Sequence, residues 1–319
     1  MGAPTSKRVA VAAAVIEQPD GRYLLGRRAP GTFYAGYWEF PGGKVEAGET
    51  PRAAIMRELH EELGIVVHRA DPWLRREHIY EHAHVDLHFF RVRHWSGEVT
   101  DHVHDALSWQ QPGDERVGPM LPANGPVLAS LRLPTHYAIT QAAAIGTDQQ
   151  LALLAIALER GLRLVQLREP GLPERERAAF YVAALGLCHA AGARALIHAE
   201  VELAQRLGAD GVHLPAVLLN ELARLPARPA LPLVAASCHN AAELAAAGRL
   251  GCDFVVFGPV LPTLSHPDAP VLGWDALAAQ IAVSPAPTYG LGGLSPGDLD
   301  RARQAGCHGV AGIRGFWRD

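Results

Sequence analysis

Gly43-Lys44-Val45-Glu46-Ala47-Gly48-Glu49 is followed, after seven residues, by Arg57-Glu58-Leu59-His60-Glu61-Glu62-Leu63-Gly64-Ile65. The second part reads as a helix. Thr50 is placed to cap it, Pro51 suits its first position, and Gly64 supplies a natural stop. Ile55, Leu59 and Leu63 recur every four residues and make an apolar stripe for burial. Glu58, Glu61 and Glu62, at i, i+3 and i+4, are expected on the opposite face. Three like charges repel one another there, and hard divalent cations, Mg²⁺ or Mn²⁺, would neutralise them through carboxylate oxygens. A cation so held can also bind a polyphosphate and activate water. Gly42-Gly43 lets backbone carbonyls approach such an ion without side-chain obstruction. For E-x-x-E-E alone, a solvated acidic helix is the plain alternative.

Working outward, residues 9–17 and 23–28 bracket the turn Pro19-Asp20-Gly21 and read as a hairpin. Further strands are expected near 81–93 and 107–110, with a helix after Asn124. His82, His84, Asp86 and His88 alternate along one strand and read as its polar face, with substrate contact or a transition-metal site as the alternatives.

The complete pattern, G-x5-E-x7-R-E-U-x-E-E-x-G-U with U apolar, fixes nine positions over 23 residues. It is that of the Nudix box. Over residues 8–133 the chain resembles the MutT type of Nudix hydrolase, the 8-oxo-dGTP diphosphatases. Arg27-Arg28, Trp38-Glu39-Phe40-Pro41-Gly42-Gly43-Lys44 and Leu121-Pro122-Ala123-Asn124-Gly125-Pro126-Val127 carry that likeness. The resemblance implies an α/β Nudix fold with a mixed sheet between helices. It also implies Mg²⁺-dependent attack of water on a nucleoside triphosphate, giving monophosphate and pyrophosphate. Metal ligands would be Glu58, Glu61, Glu62 and the Gly43 carbonyl, and Glu58 or a neighbouring glutamate would deprotonate the water. Glu49 and Arg57 would orient the loop and helix, Arg28 would help hold the nucleotide, and Phe40 and Asn124 would contact the base. A primary amide offers both donor and acceptor to a purine edge. Asn124 also suits an N-cap before Pro126, and both readings stay open. One departure concerns a loop glutamate six residues before a strand tryptophan in MutT-like enzymes. Here Val103 stands at that place before Trp109, between His102 and His104.

Around residues 130–136 the pattern changes, and the boundary is placed at 133/134, where Pro134 would stop a helix. Beyond it, short apolar runs at 137–140, 164–168, 195–198, 211–214, 233–237, 254–257, 288–291 and 309–313 alternate with Ala/Leu-rich helices. Eight such units predict a compact (β/α)8 barrel. From about 135 to 317 the chain resembles thiamin phosphate synthase and its relative, the thiazole tautomerase TenI. The likeness rests on Val165-Gln166-Leu167-Arg168-Glu169, Gly211-Val212-His213-Leu214, Ser237-Cys238-His239-Asn240, Phe257-Gly258-Pro259-Val260-Leu261-Pro262-Thr263 and Gly290-Leu291-Gly292-Gly293. It implies a phosphate site at Gly292 and Gly293, for which tight barrel turns are the alternative, and a tautomerase-like role for His239. A thiazole phosphate or related compound would be the barrel's ligand. Five positions depart from the synthase: Pro170 and His266 replace lysines, His198-Ala199 replaces an Asn-Asp pair, and Leu218 replaces a second acidic magnesium ligand. Without those carboxylates, synthase activity is not expected.

Composition bounds the rest. Against 29 Lys+Arg stand 33 Asp+Glu in 319 residues, a formal charge of −4. That excludes a general nucleic-acid binder held by phosphate charge. Cys188, Cys238, Cys252 and Cys307 form no C-x-x-C pair, as expected of a reducing cytoplasm. The first residues lack the apolar stretch of a signal peptide, and no later run suggests a membrane span. The leading expectation is a nucleotide-sanitising hydrolase joined to a degenerate barrel. The alternatives are an enzyme of thiamin metabolism, through the barrel or through cleavage of damaged thiamin diphosphate, and a barrel that only binds a ligand.

Overall fold

The computed structural model describes residues 8–81, 83–225, 228–263 and 270–317; His82 and His266 lie outside them. The chain divides into two compact units, Met1–Leu133 and Pro134–Asp319.

The first unit contains β1 (Arg8–Ile16), β2 (Tyr23–Arg27), β3 (Trp38–Glu39), β4 (Gly42–Lys44), β5 (Val66–Ile79), β6 (His84–Ser96) and β7 (Ala106–Gln110). They form two sheets, β4-β1-β6-β5 and β3-β2-β7. β1 runs parallel to β6 from Arg8↔His84 to Ile16↔Val92 and antiparallel to β4. Its side chains alternate between two cores. Ala12, Ala14 and Ile16 meet Ile55, Leu59 and Leu63 of helix α1 (Pro51–Leu63). Ala13 and Val15 face Tyr23, Phe40, Phe89 and helix α2 (Gly125–Leu131). Small residues at 12–14 bring α1 close to the sheet, and each fully buried Leu or Ile of its stripe contributes roughly 1.5–3 kcal/mol.

The expected hairpin of the first two strands is not formed. Its turn is present, with Gln18 N–H donating to Arg22 O at 2.8 Å. Beyond one bridge, Glu17↔Tyr23, the strands part into different sheets. β1 is buried on both faces over its second half and takes a central place. β5 carries no clean alternation: it contains Pro72 and three register irregularities against β6.

The second unit is a closed parallel barrel, in spatial order β10-β11-β12-β13-β14-β15-β8-β9. Its strands are β8 (His136–Ile139), β9 (Leu164–Leu167), β10 (Arg194–His198), β11 (Gly211–Leu214), β12 (Leu233–Cys238), β13 (Phe254–Phe257), β14 (Thr288–Gly290) and β15 (Gly309–Gly312). Each lies within two residues of its expected span. Tyr137, Phe254 and Tyr289 fill the interior with ring centroids 5.0–5.8 Å apart, the layered packing typical of this architecture. All four cysteines are buried and free. Among the described residues no helix is long and apolar enough to cross a membrane.

Candidate active site

Helix α1 is fixed at both ends by local chemistry. Thr50 Oγ1 accepts from Ala53 N–H at 3.2 Å, and Gly64, at φ 70°, donates from its N–H to His60 O at 3.0 Å. The glutamate-bearing side of the helix then lies against β4. Gly42 N–H donates to Glu62 Oε2 at 3.0 Å. Gly43 is required by space, because a Cβ there would run into the Glu58 carboxylate. Gly42 is required by backbone, because a Cβ would strike the carbonyl of Ala12, and its φ of 142° disfavours other residues.

The three glutamates therefore do not share one solvent face. Glu58 and Glu62 turn toward β4 and are half-buried, whereas the Glu61 side chain is 57% exposed. Arg57 collects the others. Its Nε and Nη2 donate to the two carboxylate oxygens of Glu49 at 3.1 and 3.0 Å. Nη1 donates to Glu58 at 3.0 Å and Glu61 at 3.2 Å, and Nη2 also reaches Lys44 O at 3.2 Å. Burial is the main reason the Glu62 carboxyl is pushed up to about 8, and the charges of Glu58 and Glu39 add to it. Glu39 is likewise raised by burial, opposed by Arg28, whose Nη1 donates to both of its oxygens at 2.6–2.7 Å. Among the described residues no three acidic, His or Cys side chains converge closely enough to hold a metal as they stand. A carboxyl raised by burial, with acidic neighbours adding to it, is nevertheless short of positive charge, and the oxygen-only donor set suits a hard cation.

Around Val103, 55% exposed, the two histidines do different things. His102 staples its loop to the end of α1: its N–H donates to Glu62 O at 3.0 Å, and Nδ1 lies 3.1 Å from Glu61 O. His104 is packed over Gly26, where a Cβ would overlap its ring, and burial lowers its pKa. Asn124 is 4% exposed. Its side chain makes no capping hydrogen bond to α2 and instead donates from Nδ2 to Trp38 O at 3.4 Å. Phe40, also 4% exposed, has its ring between Tyr23 and Phe89, with both centroids 5.9 Å away. On β6, Asp86 is held by Arg75 and Arg8 and His84 by Glu77, so this face reads as paired strand surface.

In the barrel, polar side chains gather toward the C-terminal ends of the strands. Gln166 Nε2 is 3.0 Å from His198 Nδ1, and His213 Nε2 is 2.8 Å from Ser237 Oγ. His213 Nδ1 is 3.2 Å from the Tyr137 hydroxyl. Burial pushes His198 down to about 4 and His213 well below the usual range, so both imidazoles are neutral at pH 7. The sequence signal for this group was available: Gln166 and His213 are polar residues inside four-residue apolar strands. His239 is 55% exposed, with Nδ1 3.0 Å from Glu243, beside Asn240, which caps the helix Ala241–Leu250. A Cβ at Gly292 would lie 2.7 Å from Pro259 Cα, and one at Gly293 2.6 Å from Pro262 O. Close backbone packing accounts for both glycines. Leu218 packs against the barrel core, and Ala199 has φ 65°. These residues do not fit a magnesium ion.

Glu39 had no assigned role in the sequence, because only the fold brings it to Arg28 and Glu62. The half-buried Tyr34, Tyr37 and Tyr80 were also unmarked. A mixed-sheet α/β unit with this glycine-and-glutamate site, followed by a parallel barrel, defines a Nudix-type domain fused to a barrel of the thiamin phosphate synthase and TenI type. The family model for thiamine monophosphate synthase matches residues 136–316 and that for the NUDIX domain matches 12–130. The chain belongs to the thiamine monophosphate synthase family and carries a Nudix domain ahead of its barrel. It is 39% identical over 190 residues to a putative thiamine-phosphate synthase of Geobacter sulfurreducens, covering 57% of this chain and 86% of that protein. It is 38% identical over 122 residues to the CTP pyrophosphohydrolase of Escherichia coli, covering 38% and 90%. To the 8-oxo-dGTP diphosphatase of the same organism it is 33% identical over 126 residues, covering 40% and 98%.

Gly42→Ala and Gly43→Ala separate fold from site. Gly42→Ala meets backbone and is expected to cost a few kcal/mol, read as a lowered Tm. Gly43→Ala meets only a carboxylate, so Tm should hold while phosphoanhydride hydrolysis falls on the order of 100-fold. Equal effects on Tm in the two variants would remove this distinction.

Proposed function

We propose that the Nudix unit hydrolyses 8-oxo-dGTP to 8-oxo-dGMP and pyrophosphate with Mg²⁺ or Mn²⁺, as a nucleotide-sanitising enzyme. The observation that carries this reading is the pair of half-buried carboxylates, Glu58 and Glu62, pressed against two glycines that leave room for them. Glu58, Glu62 and the Gly43 carbonyl would hold the cation, with Glu61 joining once released from Arg57. Bound there, the cation would polarise the phosphate and acidify water. Glu58 or Glu62 takes the water's proton, while Arg57 and Glu49 keep loop and helix in register. Arg28 lies beside the carboxylates for the phosphates.

The relatives' names divide between an oxidised purine nucleotide and CTP. Asn124 favours the purine: its amide is buried, unused as a cap, and tethered weakly to Trp38 O. In the barrel, an alanine and a core leucine stand where the synthase resemblance expects carboxylates. We therefore read the barrel as a module without synthase activity that retains room for a small phosphorylated ligand. A thiamin-linked role, by tautomerisation at His239 or by cleavage of damaged thiamin diphosphate, is the second reading, motivated by the family of the barrel.

With the full chain, kcat/KM for 8-oxo-dGTP should exceed those for dGTP and CTP, and Asn124→Ala should erode the 8-oxo-dGTP/dGTP ratio more than it slows dGTP. A preference for CTP, or a ratio unmoved by the substitution, would reject the assignment. Because Glu62 must lose its proton to bind a cation, Mn²⁺ affinity should rise with pH up to about 8, by about tenfold per pH unit at most. In Glu62→Gln the affinity should be weak and nearly flat over that window; a wild-type affinity independent of pH would contradict the role given to Glu62. The barrel reading fails if the full chain joins a thiazole phosphate to a pyrimidine pyrophosphate in the presence of Mg²⁺.

A further inference from the structure

The loop between β2 and β3 carries chemistry that the carboxylate site leaves unused. Its sequence is Ala29-Pro30-Gly31-Thr32-Phe33-Tyr34-Ala35-Gly36-Tyr37. It folds back on Arg28, whose Nε donates to Phe33 O at 2.6 Å. Arg28 N–H donates to Tyr37 O, and Gly36 N–H to Arg28 O, both at 2.9 Å. The side chain that pairs with Glu39 thus also anchors the loop. Tyr34 has φ 58°, a left-handed conformation that is strained for a non-glycine residue. What that conformation achieves is contact between rings. The Tyr34 ring meets Tyr37 edge-on at 5.2 Å and Tyr80 at 5.6 Å with a 58° tilt. Tyr80 follows the last residue of β5 and rests against the core that contains Phe40. It also interacts with the backbone of Ala123, the neighbour of Asn124, and His78 packs on it at 4.4 Å.

Tyr34, Tyr37 and Tyr80 are all half-buried. Tyr80 lies near Glu39, Arg28 and Tyr34 and against Ala123, and Tyr37 O accepts from Arg28 N–H, so the three rings adjoin Arg28, Glu39 and the Asn124 segment. We infer that Tyr34 and Tyr80 form an aromatic clamp for the base of the nucleotide substrate, with Tyr80 as the fixed wall and Tyr34 as the wall carried by the loop. This rests on the nucleotide reading above and adds the residues that select a planar base. Stacking a base between two rings needs roughly 7 Å between them, more than the present 5.6 Å. The loop must therefore swing outward to admit it. Gly31 at φ 87° and Gly36 at φ 80° flank Tyr34, and a Cβ on either would meet no atom within 4 Å; they would supply the hinges, with Gly36 N–H releasing Arg28 O as the loop opens.

The test compares full-length wild type with Tyr34→Ala, Tyr80→Ala, Tyr34→Phe and Tyr80→Phe, with Tm as the control for folding. Calorimetric binding of 8-oxo-dGMP and dGMP is set against binding of Mg²⁺-pyrophosphate, which has no base. Each alanine variant should lose about tenfold or more in nucleotide affinity and raise KM with little change in kcat. The phenylalanine variants should match wild type, and pyrophosphate affinity should not move in any of them. Unchanged nucleotide affinity in both alanine variants, or an equal loss for pyrophosphate, would overturn the clamp. If wild type binds 8-oxo-dGMP through these tyrosines but hydrolyses no nucleoside triphosphate, the proposed reaction falls and the clamp stands. Hydrolysis that is insensitive to both alanine substitutions removes the clamp and leaves the reaction.

Discussion

The first unit depends on how closely β4 approaches the carboxylate side of α1. Two consecutive glycines set that distance, and for different reasons. Gly42 has no room for a side chain against the backbone of β1, whereas Gly43 has none against the Glu58 carboxylate. Once this edge is in place, Glu62 is removed from water, which stabilises its acid form against the opposing pull of the Gly42 N–H it receives. The helix itself could tolerate other side chains on this face. The strand could not, which makes the glycine pair the structural origin of the electrostatics.

Burial works in the opposite direction in the barrel. There burial, helped by the charge of Arg168 at the end of β9, keeps His198 and His213 neutral, while the buried Glu169 carboxylate is occupied by the N–H groups of Ala142 and Ala143. A neutral imidazole can pass a hydrogen bond from Ser237 to Tyr137 through His213. It cannot replace the negative charge that a pyrophosphate-bound magnesium requires. The two units thus present contrasting chemistry: an acidic site whose carboxylates suit a cation, and a group of neutral imidazoles with Ala199 and Leu218 where the synthase resemblance expects carboxylates.

How much of this was legible in the sequence follows from how local each cause is. The cap at Thr50, the stop at Gly64 and the stripe of Ile55, Leu59 and Leu63 are set within one helix and were readable directly. The barrel strands were readable because each is a short apolar run between helices. The pairing of β1 was not, since residues near 17–23 make the expected turn and only long-range packing sends the strands into separate sheets. The orientation of the glutamates was half readable. Helical periodicity grouped them, but the neighbouring strand decided that Glu58 and Glu62 turn inward and Glu61 outward. Asn124 was ambiguous because the same residues, Asn-Gly-Pro, suit a cap and a base contact alike. The tethering of its amide to Trp38, 86 positions away in sequence, is a tertiary fact.

The charges around α1 also explain why Arg57 is so heavily bonded. Among the described residues, the guanidinium groups bonded to Glu39, Glu49, Glu58 and Glu61, around Glu62, are those of Arg28 and Arg57. An arginine cannot shed its proton to suit its surroundings, so Arg57 serves as a permanent counter-charge for Glu49, Glu58 and Glu61. Glu62 is not among its partners, and burial there, with the charges of Glu58 and Glu39 adding to it, favours the protonated carboxyl. A divalent cation entering at Glu62 and Glu58 would exchange for that proton and compete with Arg57 for Glu58 and Glu61. Arg57 would keep its bidentate hold on Glu49, which lies on the loop and not on the helix face. The partners of Arg57 thus sort into two on the loop side, Glu49 and the Lys44 carbonyl, and two on the helix, Glu58 and Glu61, that a cation would take over, so the same residue would be both a structural tie and a placeholder.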